Sequence, residues 1–377
     1  MKKYLYIIFI LFLFIGFIQC KNENKIITSG NHTTNTSKQL LERLHQYKRN
    51  NKILIGHQDA LAYGVQWKYV EGNSDFNLVT GRYPSVYGWD LAGIELNNVV
   101  NIDSVPFGKI RHYMLLVHKN GGINTCSWHT YNPVTGGSSW DNTENPNLAV
   151  SHIIPGGLHH KTYTQYLDKV ADFFLSLKTP DGTLVPVIFR PFHENNGNWF
   201  WWGQIHCTPD EYIQLFRFTA DYLRDTKKVT NLLFAYSPDI KFDTHEQFMS
   251  RYPGDKYVDI LGIDDYYDFK KENPVEEAVK HITILADEAI KRNKLYAITE
   301  TGDGNIPDYH WFTKELLTAI KHSEKTRGIS YVLFWRNADS SQYFIPYPGH
   351  PASENFRNFV SDSVMHTLDK FSFQQNL

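Results

Sequence analysis

The chain has 377 residues, of which 15% are aromatic and 21% are charged, and its formal net charge is −2. This composition is that of an ordinary globular protein and excludes a disordered chain. The charge balance, with no basic run, also excludes nucleic acid as an electrostatic partner.

The N-terminus has the pattern of an export signal. Lys2 and Lys3 precede an apolar run over residues 4–18, which is too short to span a membrane comfortably. Because Cys20 follows almost at once, residues 1–20 are predicted to be a lipoprotein-like signal peptide, with acylation of Cys20 after cleavage. Simple cleaved secretion and a retained anchor are the alternatives. We therefore expect a bacterial protein in the periplasm or an outer-membrane lipoprotein.

Residues 21–37 are polar and rich in Asn, Thr and Ser, which is typical of a flexible tether. Residues 38–377 are predicted to form one domain, since no later stretch has a linker composition and no repeat is visible. Cys126 and Cys207 remain after Cys20 and have no metal-ligand spacing. We expect two separate thiols rather than a disulfide.

Short apolar runs rich in Val, Ile, Tyr and Phe recur along the domain. Their hydrophobicity is continuous rather than alternating, as expected of parallel strands that helices cover. Eight runs are predicted to be β-strands: Lys52–Gly56, Ser85–Trp89, Gly122–Trp128, Val185–Arg190, Asn231–Tyr236, Val258–Ile263, Leu295–Thr299 and Ile329–Trp335.

Helix signals fall between these runs. Apolar residues recur at helical spacing over residues 163–177. Thr208 is followed by a proline at the first helical position and by a glutamate three residues after the cap, and Pro274 opens a third helix. Eight strands with intervening helices predict an α/β fold of the (β/α)8 TIM barrel type. An open doubly wound sheet is the alternative, weakened because no glycine-rich phosphate loop follows the first strand.

In such a barrel the active site lies at the carboxyl ends of the strands. Glu194 follows the fourth predicted strand and Glu300 follows the seventh, so the two side chains can converge across the barrel mouth. Paired carboxylates hydrolyse glycosides, at a separation of roughly 5–5.5 Å in retaining enzymes and a wider one in inverting enzymes. One carboxyl group must stay protonated while the other is ionised.

The residues around both glutamates resemble glycoside hydrolase family 26. The segment Arg190–Gly203, RPFHENNGNWFWWG, resembles the family's acid/base segment, and Ile298–Gly302, ITETG, resembles its nucleophile segment. Further similar residues follow in the family's order over most of the domain: Trp128-His129, Asn132-Pro133, Gly262–Tyr266 and Phe334-Trp335.

The resemblance implies a (β/α)8 catalytic domain of a retaining β-mannanase. Such an enzyme hydrolyses β-1,4-mannosidic linkages of mannan, galactomannan or glucomannan, with Glu194 as acid/base and Glu300 as nucleophile. It also implies that Tyr266 hydrogen-bonds the nucleophile, that Arg190 holds the acid/base region, and that Asp264 anchors hydroxyls or buttresses Arg190. The residues implied to bind the sugars are Trp128, His129, His193, Trp199 and Trp335, with Trp140 as a further candidate.

Three alternatives remain open. The first is an exo-acting enzyme that releases mannobiose, and the second is another β-glycanase of the family, such as a β-1,3-xylanase or a mixed-linkage glucanase. The third is a carbohydrate-binding barrel without turnover, which the presence of both glutamates disfavours. The long segments 67–80 and 138–160 can wall the cleft and so decide between endo and exo action.

No metal and no other cofactor is predicted, because His159 and His160 have no clustered third ligand. The expected partners are β-mannan polysaccharides or oligosaccharides, the expected oligomeric state is a monomer, and the only expected membrane contact is the lipid. Trp201 and Trp202 are equally consistent with barrel packing and with sugar subsites.

Overall fold

The computed structural model describes residues 35–142 and 149–373. The predicted signal peptide and most of the predicted tether lie outside these residues. Helix α1 begins at Asn35, within the predicted tether, and the buried Ser37 hydroxyl donates to the Thr230 carbonyl at 3.0 Å. The folded domain therefore starts about three residues earlier than predicted.

Eight parallel strands form the centre of the domain: β1 (Ile53–Gln58), β2 (Val86–Asp90), β3 (Ile123–Trp128), β4 (Val187–Pro191), β5 (Leu232–Tyr236), β6 (Ile260–Asp265), β7 (Leu295–Thr301) and β8 (Tyr331–Phe334). Each strand pairs with the next, and β8 pairs with β1, where Leu54 lies opposite Tyr331. This closure confirms the (β/α)8 barrel and excludes the open sheet. All eight predicted strands are present, with ends that differ by at most two residues.

The helices lie around the barrel: α1 (Asn35–Arg49), α2 (Asp75–Thr80), α3 (Phe107–Lys119), α4 (Ala149–Ile153), α5 (His160–Ser176), α6 (Pro209–Asp221), α7 (His245–Met249), α8 (Val275–Lys291), α9 (Leu317–Lys321), α10 (Glu324–Arg327) and α11 (Ser353–Val360). The predicted cap of α6 is confirmed. The Glu211 N–H donates to the Thr208 hydroxyl at 3.2 Å, and the Thr208 N–H donates to the Glu211 carboxylate at 2.8 Å.

Short elements complete the domain: a hairpin of Tyr63–Gly64 and Trp67–Lys68, a 3-10 turn at Ile94–Leu96, π-helical turns at Tyr222–Thr226 and Phe312–Leu316, and β9 (Met365–His366), which pairs with β1. None of the helices described here is long and apolar enough to cross a membrane. Cys126 and Cys207 are both free and buried, which confirms the prediction of separate thiols.

The barrel interior changes character along its axis. Near the amino end it is apolar, and side chains such as Leu54, Val86 and Ile188 pack with Leu41 and Leu44 of α1. Helix α1 therefore closes this end of the barrel. Towards the carboxyl end, the buried positions become polar and charged. The functional groups consequently collect at the open end, as expected for this architecture.

Candidate active site

The carboxyl ends of the strands open into a cleft of about 770 Å³. Seven of the ten predicted site residues line it: His129, His193, Glu194, Trp199, Tyr266, Glu300 and Trp335. Glu194 follows β4 and Glu300 lies near the end of β7, so the structure brings the two carboxyl groups to one cavity from opposite sides of the barrel.

The Glu300 carboxylate is held through both of its oxygens. The Arg190 guanidinium donates to Oε1, and the Tyr266 hydroxyl donates to Oε2 at 2.8 Å. Arg190 also donates to Asp264 Oδ2 at 2.8 Å, and Asp264 Oδ1 accepts from the Thr299 hydroxyl at 2.7 Å. Burial lowers the pKa of Arg190, but Asp264 and Glu300 outweigh it and the net shift is upward. The guanidinium thus remains charged beside Glu300.

Glu194 has a different environment. Burial raises its pKa well above the ordinary glutamate range, and the negative charges of Glu300 and Asp264 add to that effect. Its Oε2 accepts from the Trp199 indole N–H at 2.6 Å. Trp199 is a neutral donor, whereas Glu300 has a guanidinium partner. Glu194 therefore keeps its proton to a higher pH than an ordinary glutamate.

The backbone that presents Glu194 is in an unusual conformation. Phe192 and Glu194 have φ angles of 53° and 52°, in the left-handed region that residues other than glycine rarely adopt. The Glu194 N–H donates to the Ser237 carbonyl at 2.8 Å, and the Asn196 side-chain amide donates to the Asp239 carbonyl at 2.7 Å. These bonds fasten the β4 loop to the β5 loop, and they hold a strained segment of the kind that is common at functional sites.

His129 and His193 meet at one side of the cleft. Asp90 accepts from His129 Nδ1 at 2.8 Å and from the Ser127 hydroxyl at 2.7 Å. The Nε2 atoms of His129 and His193 are 3.1 Å apart. Burial lowers the pKa of His129, but Asp90 reverses the sign, so the net shift is upward. Burial and the charge of His129 lower the pKa of His193 well below the ordinary value.

The short contact between the two Nε2 atoms requires one ring to donate and the other to accept. The opposite pKa shifts of the two rings favour His129 as the donor and His193 as the acceptor. The buried Asp90 carboxylate is the group that permits this arrangement. The place of Asp90 at the end of β2 was visible in the sequence, but its pairing with the histidine that follows β3 was not predicted.

Aromatic rings form much of the cleft wall. Trp140 is 48% exposed and stacks on His129, with ring centroids 5.6 Å apart. Phe344 packs edge-on against Tyr266 at 5.8 Å. A Cβ at Gly302, whose φ is 148°, would lie 2.5 Å from Phe344 Cδ1, so only glycine permits this ring position. Phe344 was missed because it lies in a long loop after β8.

Two further lining residues lie on separate loops. Arg336 Nε donates to Asp103 Oδ1 at 2.8 Å, and this ion pair lines the cleft near Ile102. The sequence offered one signal for it, since Arg336 directly follows Trp335 at the end of β8. The sequence offered no such signal for Asp103, because this residue lies in the loop between β2 and α3.

The prediction that Trp128 contacts substrate is wrong. Its side chain is fully buried, stacks on Tyr163 of α5 and donates from Nε1 to Glu95 at 3.1 Å. Successive side chains of a strand point to opposite faces. Because Ser127 reaches Asp90 inside the barrel, Trp128 points outwards. Glu95 also accepts from the Tyr131 N–H at 2.7 Å, so Trp128 supports the loop that follows His129.

Arg190 and Asp264 are buried beneath the cleft, which favours the buttressing alternative for Asp264 over direct contact with hydroxyl groups.

Trp201 and Trp202 are fully buried, so the structure favours barrel packing over sugar subsites for both residues. Trp202 donates to the His193 carbonyl at 2.8 Å and Trp201 donates to the Thr130 carbonyl at 3.0 Å. Both indoles therefore fix the backbone on which the cleft residues stand.

A (β/α)8 barrel that presents two carboxyl groups from β4 and β7 in one aromatic cleft has the organisation of a glycoside hydrolase. Residues 29–341 match glycosyl hydrolase family 26, and the chain belongs to that family. This confirms the resemblance seen around the two glutamates.

Three relatives illustrate the match. A mannan endo-1,4-beta-mannosidase of Bifidobacterium adolescentis is 32% identical over 91% of this chain, which spans only 35% of that relative. A mannan endo-1,4-beta-mannosidase of Bacillus subtilis is 28% identical over 89% of each chain. The solved structure of a GH26 beta-mannanase from Bacteroides ovatus has a TM-score of 0.85 and 40% identity, and the match covers 92% of this chain and 99% of that one.

The charge on His129 is open to direct test. We expect Asp90→Asn to lower the pKa of His129, since burial continues to disfavour the imidazolium after the neighbouring carboxylate is removed. NMR titration of the His129 ring protons measures this shift. Asp172→Asn, on the exposed face of α5, is the matched control and should leave the titration unchanged. An unaltered His129 pKa in Asp90→Asn would show that Asp90 does not set its charge.

Proposed function

We propose that this protein is a retaining endo-acting β-mannanase that hydrolyses β-1,4-mannosidic linkages of mannan, galactomannan or glucomannan. The observation that carries the proposal is the pair of carboxyl groups with opposite environments in one cleft. Mannan as the substrate is supported by the relatives that are named mannan endo-1,4-beta-mannosidase. We also propose that it acts after export as a lipoprotein, for which the pattern of residues 1–20 is the support.

The first step uses the two carboxyl groups together. Glu194 gives its proton to the glycosidic oxygen, and Glu300 attacks the anomeric carbon from the opposite face. The C–O bond to the leaving sugar breaks, and a covalent glycosyl–enzyme ester forms. Arg190 and Tyr266 stabilise the anionic form of Glu300 before the attack and fix the position of its oxygens.

The second step follows from the electrostatic link between the two groups. The charge of Glu300 contributes to the raised pKa of Glu194. Once Glu300 is esterified, this charge is gone and the pKa of Glu194 falls. Glu194 can then act as a base: it removes a proton from water, the water attacks the anomeric carbon, and the ester bond to Glu300 breaks. Two inversions at that carbon give overall retention.

The cleft wall supports a role in sugar binding. Trp199 and Trp335 both line the cleft that holds the carboxyl pair, and sugars stack their C–H faces on such rings. Trp199 also holds Glu194, so the sugar platform and the acid form one unit. His129 and His193 supply polar groups for sugar hydroxyls beside the reaction point.

Cleavage within chains, rather than at chain ends, is supported by a second cavity of about 550 Å³. It is lined by residues that include Tyr63 and Trp67, and it shares Asp103 and Arg336 with the cleft. A polysaccharide that extends past the Asp103–Arg336 ion pair therefore has space to continue. An enzyme that cuts only at chain ends closes one end of its cleft, whereas the cleft is open at this end.

The carboxyl roles predict different losses for two variants. Glu300→Ala should abolish hydrolysis of every substrate. Glu194→Ala should abolish mannan hydrolysis but retain turnover of aryl glycosides whose leaving groups need no proton. Initial rates on mannan and on an activated aryl glycoside measure this, with Glu276→Ala on the exposed face of α8 as the control. Equal loss on both substrates in Glu194→Ala would contradict its role as the acid.

Product analysis tests the substrate and the mode of action. Linear mannan should yield mixed oligosaccharides at early times, and proton NMR should show that the first-formed reducing end retains the β configuration. Mannobiose alone would indicate the exo mode, and the α anomer would contradict the role of Glu300. If linear mannan, galactomannan and mannooligosaccharides are all left intact, the substrate assignment is wrong.

The Trp199 hydrogen bond predicts a change in the pH profile. The indole N–H favours the charged form of Glu194, so Trp199→Phe should raise the pKa of Glu194 further. Activity is lost as pH rises through this pKa, so the alkaline limb of kcat/KM should move to higher pH. Trp140→Phe, which changes a cleft indole that does not contact Glu194, should leave the limb in place. An unchanged alkaline limb in Trp199→Phe would show that the Trp199 hydrogen bond does not affect the pKa of Glu194.

A further inference from the structure

A third cavity opens beside the nucleophile. It has a volume of about 480 Å³ and lies between the loops that follow β6 and β7. We call it the side pocket, and its lining residues include Lys270, Glu272, Asp303, Asp308, Tyr309 and His310. Lys270 and Asp303 line both the side pocket and the cleft, so the two cavities adjoin. Asp303 is only three residues from Glu300.

The chemistry of the side pocket suits a neutral polyhydroxylated ligand. Lys270 lies close enough to Asp303 to lower its pKa, although burial dominates and the net shift is upward. Glu272 and Asp308 bring further negative charge. Mixed charges of this kind donate and accept hydrogen bonds without selecting an ion. Tyr309 is 49% exposed and adds an aromatic surface for the C–H face of a sugar.

The wall of the side pocket is preformed. Asn305 and Ile306 both have left-handed φ angles, 61° and 49°, and such a conformation is a genuine outlier for a β-branched residue. It persists because Ile306 is fully buried and because the Asn305 N–H donates to the Tyr343 carbonyl at 2.8 Å. These contacts restrain the part of the loop that joins Asp303 to Tyr309.

The position of the side pocket indicates what enters it. The main chain of the polysaccharide must pass between Glu194 and Glu300 for cleavage. A group that points away from the main chain must be a substituent on a hydroxyl of a main-chain sugar. We propose that the side pocket binds a neutral sugar branch, such as the galactosyl branch of a galactomannan, carried by a main-chain sugar bound close to Glu300. This proposal rests on the proposed mannan-hydrolysing function.

Tyr309 provides the test, because it lines the side pocket and not the cleft. Tyr309→Ala should lower kcat/KM on galactomannan about tenfold, a typical loss for one apolar contact, and leave kcat/KM on linear mannan unchanged. His310→Ala, a second exposed wall residue, should act in the same direction. Ile290→Ala is the control, since Ile290 is 54% exposed on α8 and lines neither cavity.

The outcomes separate the two proposals. If wild type hydrolyses linear mannan and the galactomannan-to-mannan ratio of kcat/KM stays unchanged in Tyr309→Ala and His310→Ala, the side-pocket proposal is overturned and the proposed function stands. Equal losses on both substrates also overturn it, since they would mean that the loop only supports Glu300. If wild type leaves linear mannan intact, the proposed function fails, and the side-pocket proposal fails with it.

Discussion

The buried guanidinium of Arg190 is the constraint on which the open end of the barrel depends. It donates to the Ser237 hydroxyl at 3.2 Å, to Asp264 at 2.8 Å and to Glu300. One side chain of β4 thus joins groups of β6 and β7 and the residue after β5. A buried cation without partners would cost several kcal/mol, so Arg190 depends on the oxygen atoms of Asp264 and Glu300 as hydrogen-bond partners. The same interaction that makes the charge tolerable also fixes the direction of Glu300.

This constraint explains why the two glutamates differ. Glu300 accepts a hydrogen bond from the charged guanidinium of Arg190. Glu194 accepts one from the neutral indole of Trp199 and lies in the negative potential of Glu300 and Asp264. The asymmetry arises from where the strands place Arg190, and it does not require different residue types at the two positions. It makes one carboxyl group suited to attack and the other to proton transfer.

The sequence predicted the barrel well because parallel strands covered on both faces are continuous apolar runs, and all eight runs became strands. The sequence was a poorer guide to the direction in which individual side chains point. Trp128 and His129 are adjacent, and strand alternation places the indole outside the barrel while the imidazole reaches the cleft. The resemblance could not separate them, since it matched both residues together, but the two-residue period of a strand was a signal that would have done so.

Other features were beyond sequence reasoning for a different reason. The Asp90–His129 pair joins two strands, and an aspartate at a strand end is as consistent with binding a hydroxyl as with binding a histidine. Phe344 lies in the loop between β8 and α11, where no periodicity predicts its position. The left-handed backbone of Phe192, Glu194 and Ile306 follows from tertiary contacts, because local preference opposes it.

The loop after β6 carries both Tyr266 and the side-pocket residue Lys270, and the loop after β7 carries the side-pocket residue Asp303 three residues beyond Glu300. Movement of either loop would therefore displace the groups that hold or form the nucleophile. The buried, left-handed Ile306 and the hydrogen bond from Asn305 to Tyr343 restrain the β7 loop against such movement. Selectivity at this side of the cleft must then come from the side chains that line the pocket, because a mobile loop here would weaken the geometry that Arg190 imposes on Glu300.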